Sequence, residues 1–429
     1  MNTLAKRIMG IAMVMIMLVL PACNTSHNPS ESTNQSKEVA LYPFYENRKG
    51  GYLDDNGAVV IEPMFDDVNP FSEGLAVIRM GDKGIREAPS RPGDYYIDTV
   101  GKYGYIDPSG KIVIEPQFEY ANDFSEGMAV VALDGDQWGF VDKSGKMVVE
   151  PQFDYAKDFS DGMAAVKKGN LFGYVDRSGN TVVEPRFVFA GDFTEGMAMV
   201  GVEVEDGNDE QIDVKYGYID KSGKTVIEPQ FDAASYFIEG YALVEKNGLW
   251  GYIDQSGKMV IEPQFDFVDW FQDGWSLVRK DDNYAFIDKS GGMVFKQVFD
   301  KASSFSEGLA MVGVGDIVYE EWEDSVSSNV FYGFVGKCGY IDKTGEFVIE
   351  PQFDDADDFS EGLAGVRVGD VRGEVGWLKK GKYGFIDKTG KFVIEPQFDD
   401  VDQFIGGVAR VEKDGEWGYV NKAGKCFGF

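Results

Sequence analysis

Histidine is almost absent from this chain: its 429 residues include one, His27. That residue lies in a polar stretch near the start, so the folded part has no imidazole for acid–base work or for a metal. Cysteine is nearly as scarce, with three residues, Cys23, Cys338 and Cys426. The last two occupy well-separated positions that are otherwise mostly held by bulky apolar side chains, and they read as buried free thiols rather than a disulfide. No apolar run reaches the roughly 20 residues of a membrane-spanning helix. Positive charge is also short, with 41 Lys and Arg against 73 Asp and Glu and a net charge of −32. A surface that acidic repels DNA, RNA and anionic lipid, which excludes nucleic acid as a partner. P-loop, nucleophile-elbow, zinc-ligand and dinucleotide fingerprints are missing as well.

What the chain has instead is repetition. The stretch Tyr216 to Trp250, YGYIDKSGKTVIEPQFDAASYFIEGYALVEKNGLW, is followed at once by another copy. Aligned on an aromatic–glycine step, the glycines fall at Gly51, Gly104, Gly139, Gly173, Gly217, Gly251, Gly339, Gly384 and Gly418, with Ala285 as the one substitution. The shortest spacing is 34 residues, as between Gly217 and Gly251, and longer steps mark insertions. A fixed period of this size means a solenoid, a propeller or an array rather than one closed core. Nine copies are complete and a tenth is cut short.

Ahead of the array stand Lys6 and Arg7, an apolar run from Ile8 to Leu20, and then Leu20-Pro21-Ala22-Cys23. The run has the length of a secretory signal's apolar region. Leu-x-Ala-Cys resembles a lipobox, which implies cleavage before Cys23 and lipidation of its thiol; Pro21 departs from the small residue usual at that place. Two acyl chains give stable anchoring. From Asn24 to Lys37 the chain has no aliphatic or aromatic residue and is expected to be a flexible tether. The expected organisation is a signal peptide over 1–22, the lipidated cysteine and tether over 23–38, and the repeat array over 39–429.

The recurring phrase [YWF]-G-[YF]-[IV]-D-x-[ST]-G-K-x-V-I-E-P-Q-F-D, followed by F-S-E-G-x-A-x-V, resembles the bacterial WG-repeat family, named for steps such as Trp138-Gly139 and Trp250-Gly251. The resemblance covers nearly everything from about residue 40 onward. It implies a repeat-built β protein with no settled biochemical activity.

Within one copy, Tyr216 to Asp220 alternates with period two, Gly223 suits the left-handed position of a type I turn with a bulge, and Thr225 to Ile227 is β-branched and apolar. Pro229 should end that second strand or make it an edge. Residues 230–240 suit a loop or a short helical turn that packs Phe231 and Phe237. Tyr241 to Val244 is a third strand, joined through Asn247-Gly248 to the next copy. Each copy is thus a three-stranded meander that cannot cover its own aromatic face, so neighbours must stack. The aromatic–glycine step has a packing reading, in which the glycine admits close approach of a neighbouring ring or backbone. The two ends look like complementary halves that would close a propeller-like ring or cap an open array. Ten blades exceed the usual four to eight, so the expectation is an all-β open solenoid or superhelix, with the closed ring as the alternative.

Recurrent carboxylates such as Asp220, Glu228, Asp232 and Glu239 raise the question of glycosidase chemistry. Their presence in nearly every copy argues for scaffold roles instead, and no catalytic residue, cofactor or metal ligand is assigned. Asp-x-Ser-Gly turns resemble the opening of a calcium loop, but they lack the carboxylate at the twelfth position, and Asx-turn geometry explains them. All the long insertions enter between the third strand and the next aromatic–glycine step: 80–102, 201–215, 313–337 and 367–382. The third carries Tyr319, Glu320, Glu321, Trp322 and Glu323, aromatics among acids with no evident core role, and these are the candidate partner-binding residues. The expected function is a non-enzymatic, lipid-anchored protein on the extracytoplasmic face of the cell membrane that binds another envelope protein. The alternative is a module for cell-wall glycan or choline-type ligands, since hairpins such as Leu249-Trp250-Gly251-Tyr252 are locally similar to choline-binding and cell-wall-binding repeats.

Overall fold

The computed structural model describes residues 40–428 except 56, 82, 88–94, 100, 134–136, 206–211, 324–327 and 373–377. Residues from Ala40 onward form one compact unit built of β-sheets alone among the described residues. Ten antiparallel sheets of three or four strands follow one another along the chain, and two two-stranded ribbons lie in insertions. In blade 6 the strands are a (Ala233–Ala234), b (Tyr241–Lys246), c (Leu249–Asp254) and d (Met259–Phe265), and they pair in that order. Blade 1 lacks strand a and consists of Tyr42–Glu46, Lys49–Leu53 and Val59–Phe65. A sheet therefore joins the third strand of one sequence copy to the first two of the next, and the short strand a adds a fourth.

The turns follow from local chemistry. Asn247 and Gly248 both have positive φ, 56° and 80°, as a type I′ hairpin between b and c requires. Gly223 (φ 81°) closes the c–d turn, where the Asp220 carboxylate accepts the amides of Ser222 and Lys224 and the Ser222 hydroxyl. The stretch read as a loop or helical turn is instead strand a followed by a second I′ turn at Glu239 (φ 52°) and Gly240 (φ 80°). Glu-Gly substitutes there for the more familiar Asn-Gly. Its two rings are buried as expected: Phe231 and Phe237 are each 1% exposed.

Strand d does not run straight. Trp250 pairs with Phe265 and Tyr252 with Ile261, so Glu262-Pro263-Gln264 bulge past Gly251. A Cβ on Gly251 would lie 2.4 Å from the Ile261 carbonyl oxygen and 2.7 Å from the Pro263 nitrogen. The same clash recurs from Gly51 to Gly384 wherever Glu-Pro follows. In blade 7, Lys296-Gln297 replace Glu-Pro, strand d is reduced to isolated bridges, and alanine stands at position 285. The two substitutions fall in the same blade, where the bridges Tyr284↔Phe299 and Ile287↔Met293 keep the register of blade 6. The glycine thus has a packing role, and its neighbour is backbone.

The core lies between sheets. Leu243, Tyr252, Ile261 and Phe265 of blade 6 pack with Val268, Phe271, Val278 and Ile287 of blade 7, and similar clusters join successive blades. Burial of such side chains contributes roughly 1.5–3 kcal/mol each. Cys338 is fully buried and Cys426 half-buried, both as free thiols, and burial pushes the Cys338 thiol up to about 11.

The expectation of an open solenoid is overturned by contacts between the two ends. The Tyr42 hydroxyl donates to the Gly406 carbonyl at 2.5 Å and the Tyr419 hydroxyl to the Pro43 carbonyl at 3.0 Å. The Tyr42 and Tyr419 rings lie 6.0 Å apart, and Gly57 abuts Phe427 so closely that an added Cβ would come within 2.7 Å of the ring. Blades 10 and 1 are neighbours, and the array is a ten-bladed propeller ring. The terminal segments do not complete one shared sheet; each builds its own blade, and the two meet face to face. The usual blade number describes frequency and sets no steric limit, and the deciding contacts join residues more than 360 positions apart.

Candidate binding face

Strand direction gives each blade two ends. One carries the a–b and c–d turns. At that end an acidic residue of the I′ turn in blades 2 to 9 reaches the next blade. The Glu73 carboxylate accepts the amides of Glu126 and Gly127 and pairs with Lys143 at 3.1 Å. Glu126 pairs with Arg177, Asp161 with Lys221, Glu239 with Lys289, Asp273 with Lys343, Glu307 with Lys388 and Glu361 with Lys422. Where blade 1 lacks an a–b turn, blade 2 has Pro108 in place of the base; where blade 10 has Gly406, blade 1 has Asp55. Burial opposes ionisation of Glu73, Glu307 and Glu361, but their lysine and amide partners outweigh it and hold these carboxyls below the usual range. Recurrent acids at this end are thus engaged in holding neighbouring blades together.

The other end carries the b–c hairpins and all four insertions. In blade 8 the insertion extends both strands, Leu309–Glu323 and Ser328–Asp342, in unbroken register from Leu309↔Asp342 to Glu323↔Ser328. Tyr319 pairs with Tyr332, Glu320 with Phe331, Glu321 with Val330 and Trp322 with Asn329. The sequence-predicted candidates therefore lie on one projecting ribbon, and their side chains fall outside those described. Cys23 also lies outside the described residues.

The same end has a feature that sequence reasoning missed. Tyr103, Tyr120, Trp138, Tyr155 and Phe172, from blades 2 to 4, form a continuous run with centroid steps of 6.4, 4.4, 5.7 and 6.3 Å. Tyr120 is 40% exposed and Tyr155 41%. The signal was available: Tyr120 and Tyr155 each stand two residues after the last Phe of strand d, and Tyr103, Trp138 and Phe172 each precede the repeat glycine. Beneath the run, the Tyr120 hydroxyl donates to Asn122 Oδ1 at 2.6 Å, and Asn122 Nδ2 donates to Asp158 Oδ1 at 3.0 Å. Asn69 Nδ2 donates likewise to Asp123 Oδ1 at 3.2 Å. Burial pushes the carboxyls of Asp123 and Asp158 up.

Blades 8 and 9 place charge at the positions of Tyr120 and Tyr155. Lys301 Nζ lies 2.6 Å from Asp355 Oδ1, whose other oxygen accepts Arg367 Nη1 at 3.1 Å and the Tyr383 hydroxyl at 3.0 Å. Arg367 also grips Asp370 through Nε at 2.9 Å and Nη2 at 3.0 Å. Asp357 nearby is pushed up to about 7, by burial first and then by Asp355 and Asp358. These groups saturate one another, and the knot reads as a structural counterpart of the aromatic run.

Nine matches to the family model described as WG containing repeat, from residues 51–83 to 383–417, cover more than half of the sequence and coincide with the c-to-b segments of the blades. The chain belongs to the WG-repeat family. No curated protein matches it. Among solved structures, this WG-repeat chain is similar to Hsv2p of Kluyveromyces lactis, at 10% identity over 62% of this chain and 96% of the other, with a TM-score of 0.29. AztD of Citrobacter koseri is similar at 14% identity over 73% and 95%, with a TM-score of 0.29. The Vibrio cholerae biofilm matrix protein Bap1 is similar at 9% identity over 91% and 83%, with a TM-score of 0.23. Likeness this slight carries no function across to the WG-repeat ring. Among the described residues, no three or more His, Cys, Asp and Glu side chains are grouped so as to hold a metal ion.

Proposed function

We propose that this WG-repeat protein is a non-enzymatic binding or scaffold protein, held at the outer face of a cell membrane by a lipid on Cys23, that engages an envelope protein through the hairpin end of its ring. The observation that carries this reading is that every long insertion leaves from that one end, with the blade 8 ribbon projecting furthest in paired register. Turns at the opposite end are committed to blade-to-blade links. A rigid ring that presents variable hairpins on one side suits recognition of a surface. The Leu20-Pro21-Ala22-Cys23 sequence supports the anchor, and radiolabelled fatty acid should enter the wild-type chain and not Cys23→Ser.

The test of the binding face is site-specific photo-crosslinking in cells of the full-length protein. A probe at Trp322 should give a discrete adduct with one envelope protein, whereas a probe at Ser222, on the opposite end, should not. Equal labelling from both positions, or adducts only from Ser222, would overturn the assignment. The aromatic run gives the glycan reading a specific footing as well: sedimentation of the protein with purified sacculi, released by a soluble glycan, would move that reading ahead.

A further inference from the structure

In several blades the ring that precedes the repeat glycine is covered by a cation from its cross-strand partner on strand b. Arg79 is paired with Tyr103 and lies 5.8 Å from its centroid; Lys167 is paired with Phe172 at 5.6 Å. Arg279 stands over Tyr284 at 5.9 Å and Arg367 over Tyr383 at 5.3 Å, again as cross-strand partners. Blade 3 breaks the pattern, because the partner of Trp138 is Ala132. Among the described residues no cation stands over Tyr120, Trp138 or Tyr155. The nearby Lys102 is engaged with Glu119 at 3.2 Å and with the Leu133 carbonyl at 3.5 Å.

Blade 5, with Gly201, and blade 6, with Glu245, also lack the cation, but each fills the place differently. A Cβ at Gly201 would meet Phe189 at 2.9 Å and Val214 at 3.0 Å, so no room is left there. Trp250 of blade 6 has no flanking rings comparable to Tyr120, 4.4 Å from Trp138, and Tyr155, 5.7 Å from it. Blade 3 alone among these combines an uncovered ring, two half-exposed neighbouring rings and a carboxylate network below.

We infer that Tyr120, Trp138 and Tyr155 form a slot for a lysine or arginine side chain presented by a basic segment of the partner protein. This deepens the protein-binding reading and rests on it. Charge complementarity selects the occupant. Asp158 is linked to the slot through Asn122 and Tyr120, and its hydrogen-bond partner is a neutral amide rather than a base. Ring faces attract a cation through their quadrupole, and a carboxylate behind them adds to that attraction. Burial raises the carboxyls of Asp123 and Asp158, as befits acids without a cationic partner of their own.

The test is fluorescence anisotropy of a labelled peptide of four Lys-Ser repeats, titrated with the full-length protein at about 150 mM salt, where charges beyond roughly 8 Å are largely screened. The key variant is Ala132→Lys, which copies the Lys167–Phe172 arrangement of blade 4 and so supplies an internal cation in a setting the fold already accommodates. Ala132→Lys and Tyr155→Ala should each weaken binding at least tenfold. Glu184→Gln, on an exposed position of strand d, should leave it unchanged. Equal affinity for Ala132→Lys and wild type, or for the lysine-acetylated peptide, would overturn the slot. Tetramethylammonium bound as tightly as the peptide would replace the basic segment by a small cation. If Trp322 cross-links to a partner while the peptide fails to bind, the slot falls and the wider reading of the hairpin end stands.

Discussion

Blades 4 and 5 are joined by the Tyr174 hydroxyl on the Gly191 carbonyl at 2.7 Å, the Ser160 hydroxyl on the Phe193 carbonyl at 2.8 Å, and the Asp161 carboxylate, which holds both the Gly196 amide at 2.8 Å and Lys221 at 2.5 Å. Between blades 10 and 1 the tyrosine link is kept, by Tyr419 on the Pro43 carbonyl, and the other two are exchanged. Ile405 and Gly406 stand where Ser160 and Asp161 do, and Asp55 stands where Lys221 does. The place of those two links is taken by the Tyr42 hydroxyl on the Gly406 carbonyl and by Phe427 against Gly57. Gly406 fits this exchange: a Cβ there would lie 2.5 Å from the Tyr42 oxygen. The junction that closes the ring thus keeps the tyrosine link of the repeated junctions, since Tyr419 follows Gly418 as Tyr174 follows Gly173, and replaces the serine and acid–base links by contacts of its own.

The largest effect should come from removing the seam. Tyr419→Ala combined with Phe427→Ala deletes the ring pair and one of the closing hydrogen bonds, with an expected loss of about 3 kcal/mol. Small-angle scattering should show an expanded particle, and an unchanged radius of gyration would mean that closure rests on other contacts. The hydroxyls come next. Tyr218 is fully buried and its hydroxyl donates to the Ser235 carbonyl at 2.7 Å, so Tyr218→Phe should cost about 1–2 kcal/mol in denaturant unfolding. Tyr419→Phe, at a half-buried position, should cost less; the reverse order would show the seam to be the stronger junction.

Acid separates the two kinds of junction further. Glu73, Glu307 and Glu361 are held below their ordinary range in the folded state, so their contribution is present above about pH 4.5 and is lost as the pH falls through the lower folded values. The melting temperature should drop over that window. Replacing the three by Gln should reduce the drop, because these three inter-blade groups no longer titrate. An unaltered acid limb would show that the inter-blade acids do not govern it.

Much of this was legible in the sequence. The hairpins could be read from Asn247-Gly248 and Gly223, the close approach at the repeat glycines from their position in a strand, and the stacking of sheets from rings that no single copy could cover. The second turn was missed because Glu239-Gly240 was not weighed as an I′ pair, although glycine at the second position is the signature. Pro229 should end strand d or make it an edge, and strand d is the edge; the bulge itself was missed, because the chain detours around Gly217 and rejoins at Phe231. Closure was legible only as the alternative that the two end halves suggested, since hydrogen bonds from Tyr42 to Gly406 and from Tyr419 to Pro43 leave no local trace. The aromatic run is intermediate. Each ring holds a repeat position, but contact between Tyr120 and Trp138 depends on the small Ala132 of strand b, which stands between them and is paired with both.

The smallest expected effect is the most discriminating about why the seam differs. Tyr42 is pushed up to about 12 by burial and then by the charges of Asp55 and Glu361, so two acids face the hydroxyl that closes the ring. Asp55→Lys would remove one of them and place a cation where every blade from the third to the tenth except the sixth, which has Gln255, carries a base. If Asp55 is only a like-charged neighbour of Glu361 at the Tyr42 hydroxyl, the substitution should stabilise the ring by a few tenths of a kcal/mol, as an exposed charge interaction does. The gain should shrink as salt is raised, because the charges involved are near the surface. Destabilisation instead would mean that Asp55 has a positive task at the seam, and that closure depends on its carboxylate as well as on Tyr42, Tyr419 and Phe427.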